Sequence, residues 1–268
     1  AFILHDRTGV IYHTSSLLDR PGLIHGFSTR LGGVSPAPWD SLDLGANRGD
    51  APANVRENFA RFCAAAGTDA RRLVKNHQVH SDLVRPVTRA DIQSDPAAPG
   101  VYEADGLVTD LPGVSLVIFG ADCLPILLYD PVRRVVGAVH AGWRGTALDL
   151  PAKAVREMGR LFGAQSENIR AAIGAGIGPC CFETHDDVPD AMTAAFGPAV
   201  GAYIAPKDAK WTVDLKGVNA WRLQECGVPG AQIDICPICT ACHTDLYWSH
   251  RKTGDRRGVQ GALIGLRP

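Results

Sequence analysis

The sequence lacks any long apolar run, and that absence excludes one broad class of protein. A membrane-spanning helix needs roughly 20 consecutive, predominantly apolar residues, and no stretch of the 268 residues approaches this length. Residues 1–7 also lack the basic segment and the apolar stretch of a signal peptide. We therefore expect a cytoplasmic protein with no membrane partner.

The sequence also lacks an excess of charge of either sign. Its 27 lysine and arginine residues nearly balance 28 aspartate and glutamate residues, so the formal net charge is -1 at pH 7. A nearly neutral chain offers no general electrostatic attraction for nucleic acid, and we expect no nucleic-acid partner. The sequence leaves the oligomeric state open.

The eight cysteines lack the spacing of a disulfide framework. Three of them fall between Cys236 and Cys242, while Cys180 and Cys181 are adjacent. Small secreted proteins instead spread paired cysteines along the chain. Because no export segment is visible, we expect the thiols to be reduced.

Short apolar segments of two kinds alternate along the chain. Residues 54–66 and 148–162 carry apolar side chains at offsets of three and four, and glycine follows each segment, which predicts two helices. Runs of strand length, rich in β-branched residues, predict buried strands at 116–119, 126–129 and 135–139. Because no repeat or low-complexity linker divides the chain, we predict one α+β domain over residues 1–268, with mixed β-sheets flanked by helices.

The stretch from Ser115 to Gly145 combines strands with reactive side chains. Cys123 lies between the first two strand-like runs, and the third run ends on His140. Asp130 and Pro131 are a turn signal between the second and third runs, which predicts a hairpin. A thiol and an imidazole thus lie at strand ends beside small residues, and such positions favour a functional site.

An imidazole from an earlier segment would complete a metal site. Zinc binds imidazole nitrogen and thiolate sulfur, and a catalytic site commonly has three protein ligands and one open position. His80, Cys123 and His140 offer such a set, but His77 competes with His80. Residues 73–84 favour extended structure, in which an offset of three points side chains to opposite faces, so only one of these two histidines would enter the site. The spacing does not decide between them.

The cysteine-rich segment 236–243 offers a second kind of site. Cys236-x-x-Cys239-x-x-Cys242 is typical of iron–sulfur proteins, and Cys239-x-x-Cys242-His243 has the spacing of covalent haem attachment. Haem attachment of this type belongs to exported proteins, and an iron–sulfur cluster needs a fourth thiolate, for which the segment has no obvious partner. We therefore interpret the segment as three thiols in a tight turn.

Three arginines lie where they could contact an anion. Arg144 follows Trp143 just after the candidate ligand His140, while Arg30 and Arg48 lie in glycine-rich loops. A guanidinium group is suited to bidentate contact with phosphate or carboxylate. A buried tryptophan beside a solvated arginine explains the same residues, and both interpretations stay open.

Several motifs together resemble the laccase-domain family, also called the YfiH family. The motifs are Ser28-Thr-Arg-x-Gly-Gly-Val-Ser35, Ser41-Leu-Asp-Leu-Gly45, Gln78-Val-His80, Ala104-Asp105, Ala121-Asp-Cys-Leu-Pro125, Val139-His-Ala-Gly-Trp-Arg-Gly145, Gly176-Ile-Gly178-Pro179 and Ser249-His-Arg251. The match runs through nearly the whole chain. The resemblance implies that the zinc ligands are His80, Cys123 and His140. It decides against His77, and it leaves only Cys239 of the cysteine-rich segment on the family pattern.

The family, once described as multicopper polyphenol oxidases, is associated with phosphorolysis of adenosine, inosine, guanosine and methylthioadenosine and with adenosine deamination. The resemblance therefore implies a zinc-dependent purine nucleoside phosphorylase that acts on a purine nucleoside and phosphate, with adenosine deaminase as an additional activity. We predict a set of substrate-binding residues, namely Arg30, Arg48, Gln78 and Arg144, of which Arg144 or Arg30 contacts the anion. We also predict that Asp122 takes part in catalysis with the metal ligands His80, Cys123 and His140, through proton transfer or by supporting them.

Two alternative activities belong to the same resemblance, copper-dependent polyphenol oxidation and hydrolytic editing of peptidoglycan precursors. A multicopper oxidase builds its trinuclear copper cluster from His-x-His pairs, and none of the nine histidines forms such a pair. Copper is therefore the less favoured ion. A zinc protein that binds a partner without catalysis is a further alternative, of a different class.

Overall fold

A computed structural model of the protein describes residues 1–268. The strands, in chain order, are β1 (Phe2–Arg7), β2 (Val10–Ser15), β3 (Leu23–Ser28), β4 (Leu73–Val74), β5 (Val84–Pro86), β6 (Gly106–Thr109), β7 (Ser115–Gly120), β8 (Leu124–Asp130), β9 (Val135–Ala141), β10 (Arg170–Ile173), β11 (Glu183–Thr184), β12 (Ile204–Lys207), β13 (Lys210–Val213), β14 (Ile233–Ile235) and β15 (Gln260–Leu266).

The helices are short to medium in length. In chain order they are α1 (Pro52–Ala66), α2 (Trp143–Ala147), α3 (Leu150–Phe162), α4 (Asp187–Phe196), α5 (Leu215–Glu225) and α6 (His250–Thr253). Short 3-10 helices cover Arg89–Asp91, Ser166–Asn168, Pro198–Tyr203 and Gly230–Gln232. No helix combines the length and the apolarity needed to cross a bilayer.

The strands form two large sheets and one small one. The first sheet has the order β1-β2-β3-β15-β7-β4, the second has the order β14-β10-β8-β9-β6-β5, and β11, β13 and β12 form the third. Neighbouring strands are antiparallel except in the pairs β4–β7, β5–β6 and β10–β14. The predicted class, mixed sheets flanked by helices, is therefore confirmed.

The two large sheets pack face to face and carry helices on their outer faces. Between the sheets, Leu127 and Ala138 of the β8–β9 pair meet Leu116, Ile118 and Ile264 of the first sheet. Helix α1 covers the outer face of the first sheet, and α3 and α5 cover that of the second. The resulting order of layers is helix, sheet, sheet, helices.

The predicted hairpin and the two predicted helices are confirmed. Strands β8 and β9 pair antiparallel on either side of the turn that begins with Asp130 and Pro131. Helices α1 and α3 end at Gly67 and Gly163, whose φ angles of 85° and 71° lie in the left-handed region. Glycine adopts that region without steric cost, which explains why it ends both helices.

The extended structure predicted over residues 73–84 is wrong in its central part. Only β4 and the start of β5 are strands there, and the loop between them holds His80 at a φ of 62°. The backbone amides of Val79, His80 and Ser81 donate to the carboxylate of Asp105. The alternation of an extended chain therefore does not apply to the loop.

Candidate active site

Three side chains from separate segments converge at the open end of the β8–β9 hairpin. Cys123 lies in the turn just before β8, His140 lies in β9, and His80 lies in the loop between β4 and β5. Their candidate ligand atoms all lie within 4.8 Å of one another, and Cys123 Sγ is 3.8 Å from His80 Nε2. His77 is exposed, and its Nδ1 atom lies 4.0 Å from Glu103 instead. The structure thus brings together the three residues that the resemblance implies.

The local backbone places the thiol beside the imidazoles. His140 pairs across the hairpin with Pro125, two residues after Cys123. Asp122 turns the chain before the thiol with a φ of 86°, a conformation that few non-glycine residues adopt. Gly142 leaves room for the sulfur, because a Cβ atom at this position would lie 2.8 Å from Cys123 Sγ. A side chain at position 142 would therefore displace the thiol.

The buried carboxylate of Asp105 supports both histidines. Its Oδ1 atom lies 2.8 Å from His140 Nδ1 and accepts the backbone N–H of His80 at 3.1 Å. Its Oδ2 atom accepts the backbone N–H and the hydroxyl of Ser81 at 2.6 and 2.8 Å. Burial raises the pKa of Asp105, but hydrogen bonds from His140 and Ser81 outweigh it and lower the pKa to about 2. Because Nδ1 of His140 is engaged, Nε2 is the ring nitrogen left for a metal ion.

The electrostatics of the group favour the thiolate. Burial raises the pKa of Cys123, but the neighbouring His140 and His80 side chains lower it to about 6. Burial lowers the pKa of His140, whereas the thiolate and Asp105 raise it to about 9. The thiolate is the form of cysteine that binds metal ions, and a metal ion bound here would displace the proton that His140 carries at neutral pH.

Asp122 is held by three hydrogen-bond donors. Its Oδ1 atom accepts the hydroxyl of Thr240 at 2.6 Å, and its Oδ2 atom accepts the hydroxyl of Ser249 at 3.1 Å and the backbone N–H of Arg251 at 2.7 Å. These bonds tie the turn that precedes Cys123 to the C-terminal segment. Of the two roles predicted for Asp122, this geometry favours support of the ligand-bearing turn over proton transfer.

A cleft of about 500 Å³ lies against the three side chains and is rich in arginine. Arg48, Arg144, Arg251 and Arg257 line it, and none of the four forms an ion pair with a carboxylate. Arg257 is only 6% exposed, and its buried Nε atom has no hydrogen-bond partner. Arg144 lies over the ring of Trp143, with its guanidinium carbon 4.3 Å from the ring centroid. The cleft therefore presents unpaired positive charge beside the Cys and His side chains.

Two residues predicted to bind substrate are engaged elsewhere. The side-chain amide of Gln78 donates to the backbone carbonyl of Phe119 at 2.8 Å and accepts its backbone N–H at 2.7 Å. Arg30 donates to the backbone carbonyl of Asp40 and stacks over Trp248, 3.9 Å from the ring centroid. Neither residue lines the cleft, and their contacts with substrate stay predictions. Arg48 and Arg144 do line it.

The sequence did not assign Asp105, Arg251 or Arg257 to the site. Asp105 lies in an ordinary Ala-Asp-Gly segment, and its only signal was its place in a family motif. Arg251 likewise lies on the family pattern. Arg257 follows Arg256, and only the fold distinguishes the buried arginine in the cleft from its exposed neighbour.

The three converging side chains fit a catalytic metal ion. Two imidazoles and one thiolate are ligands that zinc prefers, and three protein ligands leave one coordination position for water or substrate. The bond between Asp105 and His140 fixes the imidazole in the orientation that frees Nε2. Gly142 keeps the space around the sulfur open. These features belong to residues of this chain and do not depend on a bound ion.

Comparisons with known proteins show relatives that are similar along most of the chain. The sequence pattern of the family described as "Multi-copper polyphenol oxidoreductase laccase" matches residues 24–267. A protein of Deinococcus radiodurans named purine nucleoside phosphorylase is 38% identical over 253 residues, which cover 93% of this chain and 92% of that protein. Purine nucleoside phosphorylase YlmD of Bacillus subtilis is 32% identical over 247 residues, which cover 91% and 89%.

Solved structures show the same fold. The crystal structure of YlmD from Geobacillus stearothermophilus is similar over 100% of this chain and 99% of that chain, with a TM-score of 0.92 and 32% identity. The crystal structure of the Bacillus licheniformis hypothetical protein YfiH gives the same TM-score of 0.92 and the same 32% identity over 98% and 99% of the two chains. The layered arrangement of sheets and helices is therefore shared along nearly the whole chain.

Proposed function

The chain belongs to the multi-copper polyphenol oxidoreductase laccase family, and on this premise we propose that it is a zinc-dependent purine nucleoside phosphorylase of the cytoplasm. Its substrates are phosphate and a purine nucleoside, namely adenosine, inosine, guanosine or methylthioadenosine. Relatives named purine nucleoside phosphorylase support this class of enzyme.

The observation that carries the proposal is the arginine-lined cleft beside the His and Cys side chains. Arg48, Arg144 and Arg257 face the cleft without a carboxylate partner. Unpaired guanidinium groups at a partly enclosed site favour a bound anion, and phosphate is the anion that phosphorolysis consumes.

Phosphorolysis requires the cleft to hold phosphate close to the ribose. A phosphate oxygen forms a bond to C1′ of the ribose, the bond from C1′ to the purine nitrogen breaks, and the purine leaves with the electron pair and takes up a proton. We assign phosphate binding to Arg48, Arg144 and Arg257, whose fixed charges stabilise the charge that develops in the transition state. The zinc ion, held by His80, Cys123 and His140, would supply a Lewis acid. Asp122 and Asp105 then keep the ligand-bearing turns in place.

A second activity, adenosine deamination, is supported by the same ligand set. His80, Cys123 and His140 would hold a zinc ion through three protein ligands, and that ion would supply Lewis acidity for a reaction of the purine with water. Deamination consumes water and releases ammonia, whereas phosphorolysis consumes phosphate. The dependence on phosphate therefore distinguishes the two reactions.

The alternative of a multicopper oxidase is disfavoured by the available ligands. The chain has two clusters of three or more metal-ligating side chains, and one consists of cysteine alone while the other holds two histidines. A trinuclear copper centre requires several pairs of histidines, and the sequence has no His-x-His pair. We therefore propose zinc, and metal analysis of protein purified without added metal tests the choice. Copper near one equivalent, together with oxidation of phenols, would contradict it.

The decisive experiment incubates the zinc-loaded protein with inosine or adenosine, with and without phosphate. We expect ribose 1-phosphate and free base only when phosphate is present, and inosine from adenosine without phosphate if deamination accompanies it. Cys123→Ala should lose both reactions, whereas Cys226→Ala, which removes a half-buried thiol away from the cleft, should retain them. Absence of turnover with every nucleoside would refute the proposal. Cleavage of peptidoglycan precursors by the same sample would favour the hydrolytic alternative.

A further inference from the structure

A second group of cysteines lies outside the proposed catalytic site. Cys180 and Cys181 lie in the loop between β10 and β11, and Cys239 and Cys242 lie in the loop between β14 and α6. The four sulfur atoms all lie within 4.8 Å of one another although the two loops are about 60 residues apart in the sequence. The Cys-x-x-Cys pair at 239 and 242 thus meets two further thiols from a different part of the chain.

The separations between the sulfur atoms suit one tetrahedral metal ion. Cys242 Sγ lies 3.6 Å from Cys180 Sγ and 3.4 Å from Cys181 Sγ. A zinc ion about 2.3 Å from each of four thiolates requires sulfur–sulfur separations of about 3.8 Å. A disulfide would bring two sulfurs to about 2.05 Å, and all eight cysteines are free thiols. A multi-iron cluster would place several iron and sulfide ions between the thiolates, for which the group is too compact.

Backbone groups around Cys239 resemble those that support bound thiolates. The N–H of Gly178 donates to Cys239 Sγ at 3.2 Å, and the N–H of Cys242 donates to the backbone carbonyl of Cys239 at 3.2 Å. Such N–H donors stabilise the negative charge of a coordinating thiolate. A Cβ atom at position 178 would lie 3.3 Å from the Cβ of Cys239 and 3.4 Å from Cys180 Sγ, so glycine permits the close approach of the two loops.

Positive charge near the group offsets the negative charge of four thiolates. Zinc with four thiolates has a net charge of about -2. The buried Lys216 donates to the backbone carbonyls of Cys236 and Ile238 at 2.8 and 2.7 Å, which places its ammonium group on the segment that carries Cys239. This lysine has no carboxylate partner of its own. It therefore places a positive charge beside Cys239, the one buried thiol of the group.

We propose that Cys180, Cys181, Cys239 and Cys242 bind a single zinc ion in a closed structural site, separate from the catalytic one. Four protein ligands leave no open position, which is the property of structural zinc sites. The cysteine-rich segment alone lacked a fourth thiolate. The proposed site has four because Cys180 and Cys181 join Cys239 and Cys242, while Cys236 is not part of it. Cys236 packs instead against Tyr247 and Ala175.

The proposed ion would stabilise one wall of the cleft. Arg251, which lines the cleft, donates from its guanidinium group to the carbonyl of Cys181 at 3.1 Å. Thr240, between two of the thiols, donates to Asp122 at 2.6 Å. Phe182 directly follows the cysteine pair and also lines the cleft. Binding of zinc would therefore hold both loops in the positions that shape the cleft.

The first test measures zinc in the 268-residue chain purified without chelator and without added metal. We expect two zinc ions per chain in the wild type and one in Cys180→Ser/Cys242→Ser. The matched control Cys236→Ala removes a thiol from the same segment and should retain two. His80→Ala/Cys123→Ala should retain the ion of the four-thiol site, which separates this proposal from the proposed catalytic function. Two ions in the Cys180→Ser/Cys242→Ser variant would overturn the assignment.

The second test uses the wild-type chain and does not depend on the folding of a variant. Thiols are alkylated with and without zinc after chelation, and the modified peptides are identified by mass spectrometry. We expect zinc to protect Cys180, Cys181, Cys239 and Cys242 together. Equal alkylation in the presence of zinc, or a disulfide between any two of these residues in the protein as isolated, would overturn the proposal. Iron in place of zinc at these thiols would refute the choice of ion.

Discussion

Replacement of Asp105 by asparagine tests whether the proposed metal site depends on the carboxylate behind it. In the wild type, Oδ1 faces His140 Nδ1 and the N–H of His80, while Oδ2 faces the N–H groups of Val79 and Ser81. An asparagine must place its NH₂ group at one of these two positions. Either orientation sets a donor against donors, so the variant cannot satisfy both histidine-bearing elements at once.

These contacts set the expected loss of zinc affinity and of unfolding free energy in Asp105→Asn. If the NH₂ group faces His140, the imidazole must turn its Nδ1 lone pair toward it, and Nε2 then carries the proton and cannot bind a metal. Loss of a carboxylate behind a ligating histidine typically reduces metal affinity about 10- to 100-fold, which corresponds to about 1.4–2.8 kcal/mol. If the NH₂ group instead faces the loop, buried donors left unpaired cost about 1–3 kcal/mol of unfolding free energy each. We therefore expect both weaker zinc binding and lower stability.

The assay is a competition titration with a chelator of known zinc affinity, performed in the Cys180→Ser/Cys242→Ser background so that only the catalytic site contributes. Thermal unfolding of the metal-free protein is measured in parallel. Asp130→Asn provides the matched control, because Asp130 is equally buried and accepts three backbone N–H groups away from the site. The control should lose stability and keep its zinc affinity. A folded Asp105→Asn protein with the zinc affinity of the wild type would refute the role of this carboxylate.

Three further predictions concern the cleft, the thiol and the core. Arg257→Ala should raise KM for phosphate about 10-fold or more, because a charge-assisted contact contributes about 1.5–3 kcal/mol. The control Arg256→Ala should leave this KM unchanged. Equal phosphate kinetics in the two variants would contradict the assignment of Arg257 to phosphate. Gly142→Ala should weaken zinc binding, since the new Cβ atom would lie 2.8 Å from Cys123 Sγ, and an unchanged zinc titration would show that the thiol can move without cost. Burial lowers the pKa of His25 to about 4, below its ordinary value of about 6.5, so the unfolded state binds the proton first as the pH falls. Unfolding free energy should therefore decrease between pH 6.5 and 4, by up to about 1.4 kcal/mol per pH unit from this residue. Urea unfolding at several pH values should show a flatter dependence in His25→Gln, and an equal slope in both proteins would be inconsistent with a neutral buried imidazole.

The elements that the sequence predicted correctly are those with strong local patterns. The hairpin of β8 and β9 follows from two apolar runs around an Asp-Pro turn, and α3 follows from apolar residues at helical spacing before a glycine. Such patterns depend on neighbours within one or two turns of chain. The pairing of β15 between β3 and β7 could not be predicted in this way, because it joins segments more than 100 residues apart in the chain.

The candidate site was predictable only in part. Cysteine and histidine are common metal ligands, so Cys123 and His140 could be predicted as candidates from their positions at strand ends. The choice of His80 over His77 came from the family resemblance, since the extended geometry assumed for that segment does not exist. The loop around His80 depends on Asp105, whose own side chain gives no local signal. Arg257 could not be separated from Arg256, because only the packing of the C-terminal segment decides which one faces the cleft.

The cysteine-rich segment shows how a local pattern can suggest the wrong partners. Its three regularly spaced thiols drew attention to Cys236, which lies against Tyr247 and is absent from the four-thiol group. The partners of Cys239 and Cys242 come from a loop that the sequence presented only as an adjacent pair. Spacing identifies candidate ligands within one short motif, but it does not show which distant loop supplies the others.

The backbone around the proposed metal ligands indicates that folding, and not metal binding, sets the positions of the side chains. His80 and Asp122 have φ angles of 62° and 86°, which cost about 1–2 kcal/mol each for residues other than glycine. Each strained turn is held by a buried carboxylate. Asp105 accepts a hydrogen bond from the backbone N–H of His80, and Asp122 accepts hydrogen bonds from the hydroxyl of Thr240 and the backbone N–H of Arg251. The hydrogen bonds of these two carboxylates offset the strain before any ion or substrate arrives. Metal binding at the proposed site therefore requires little rearrangement of these two turns.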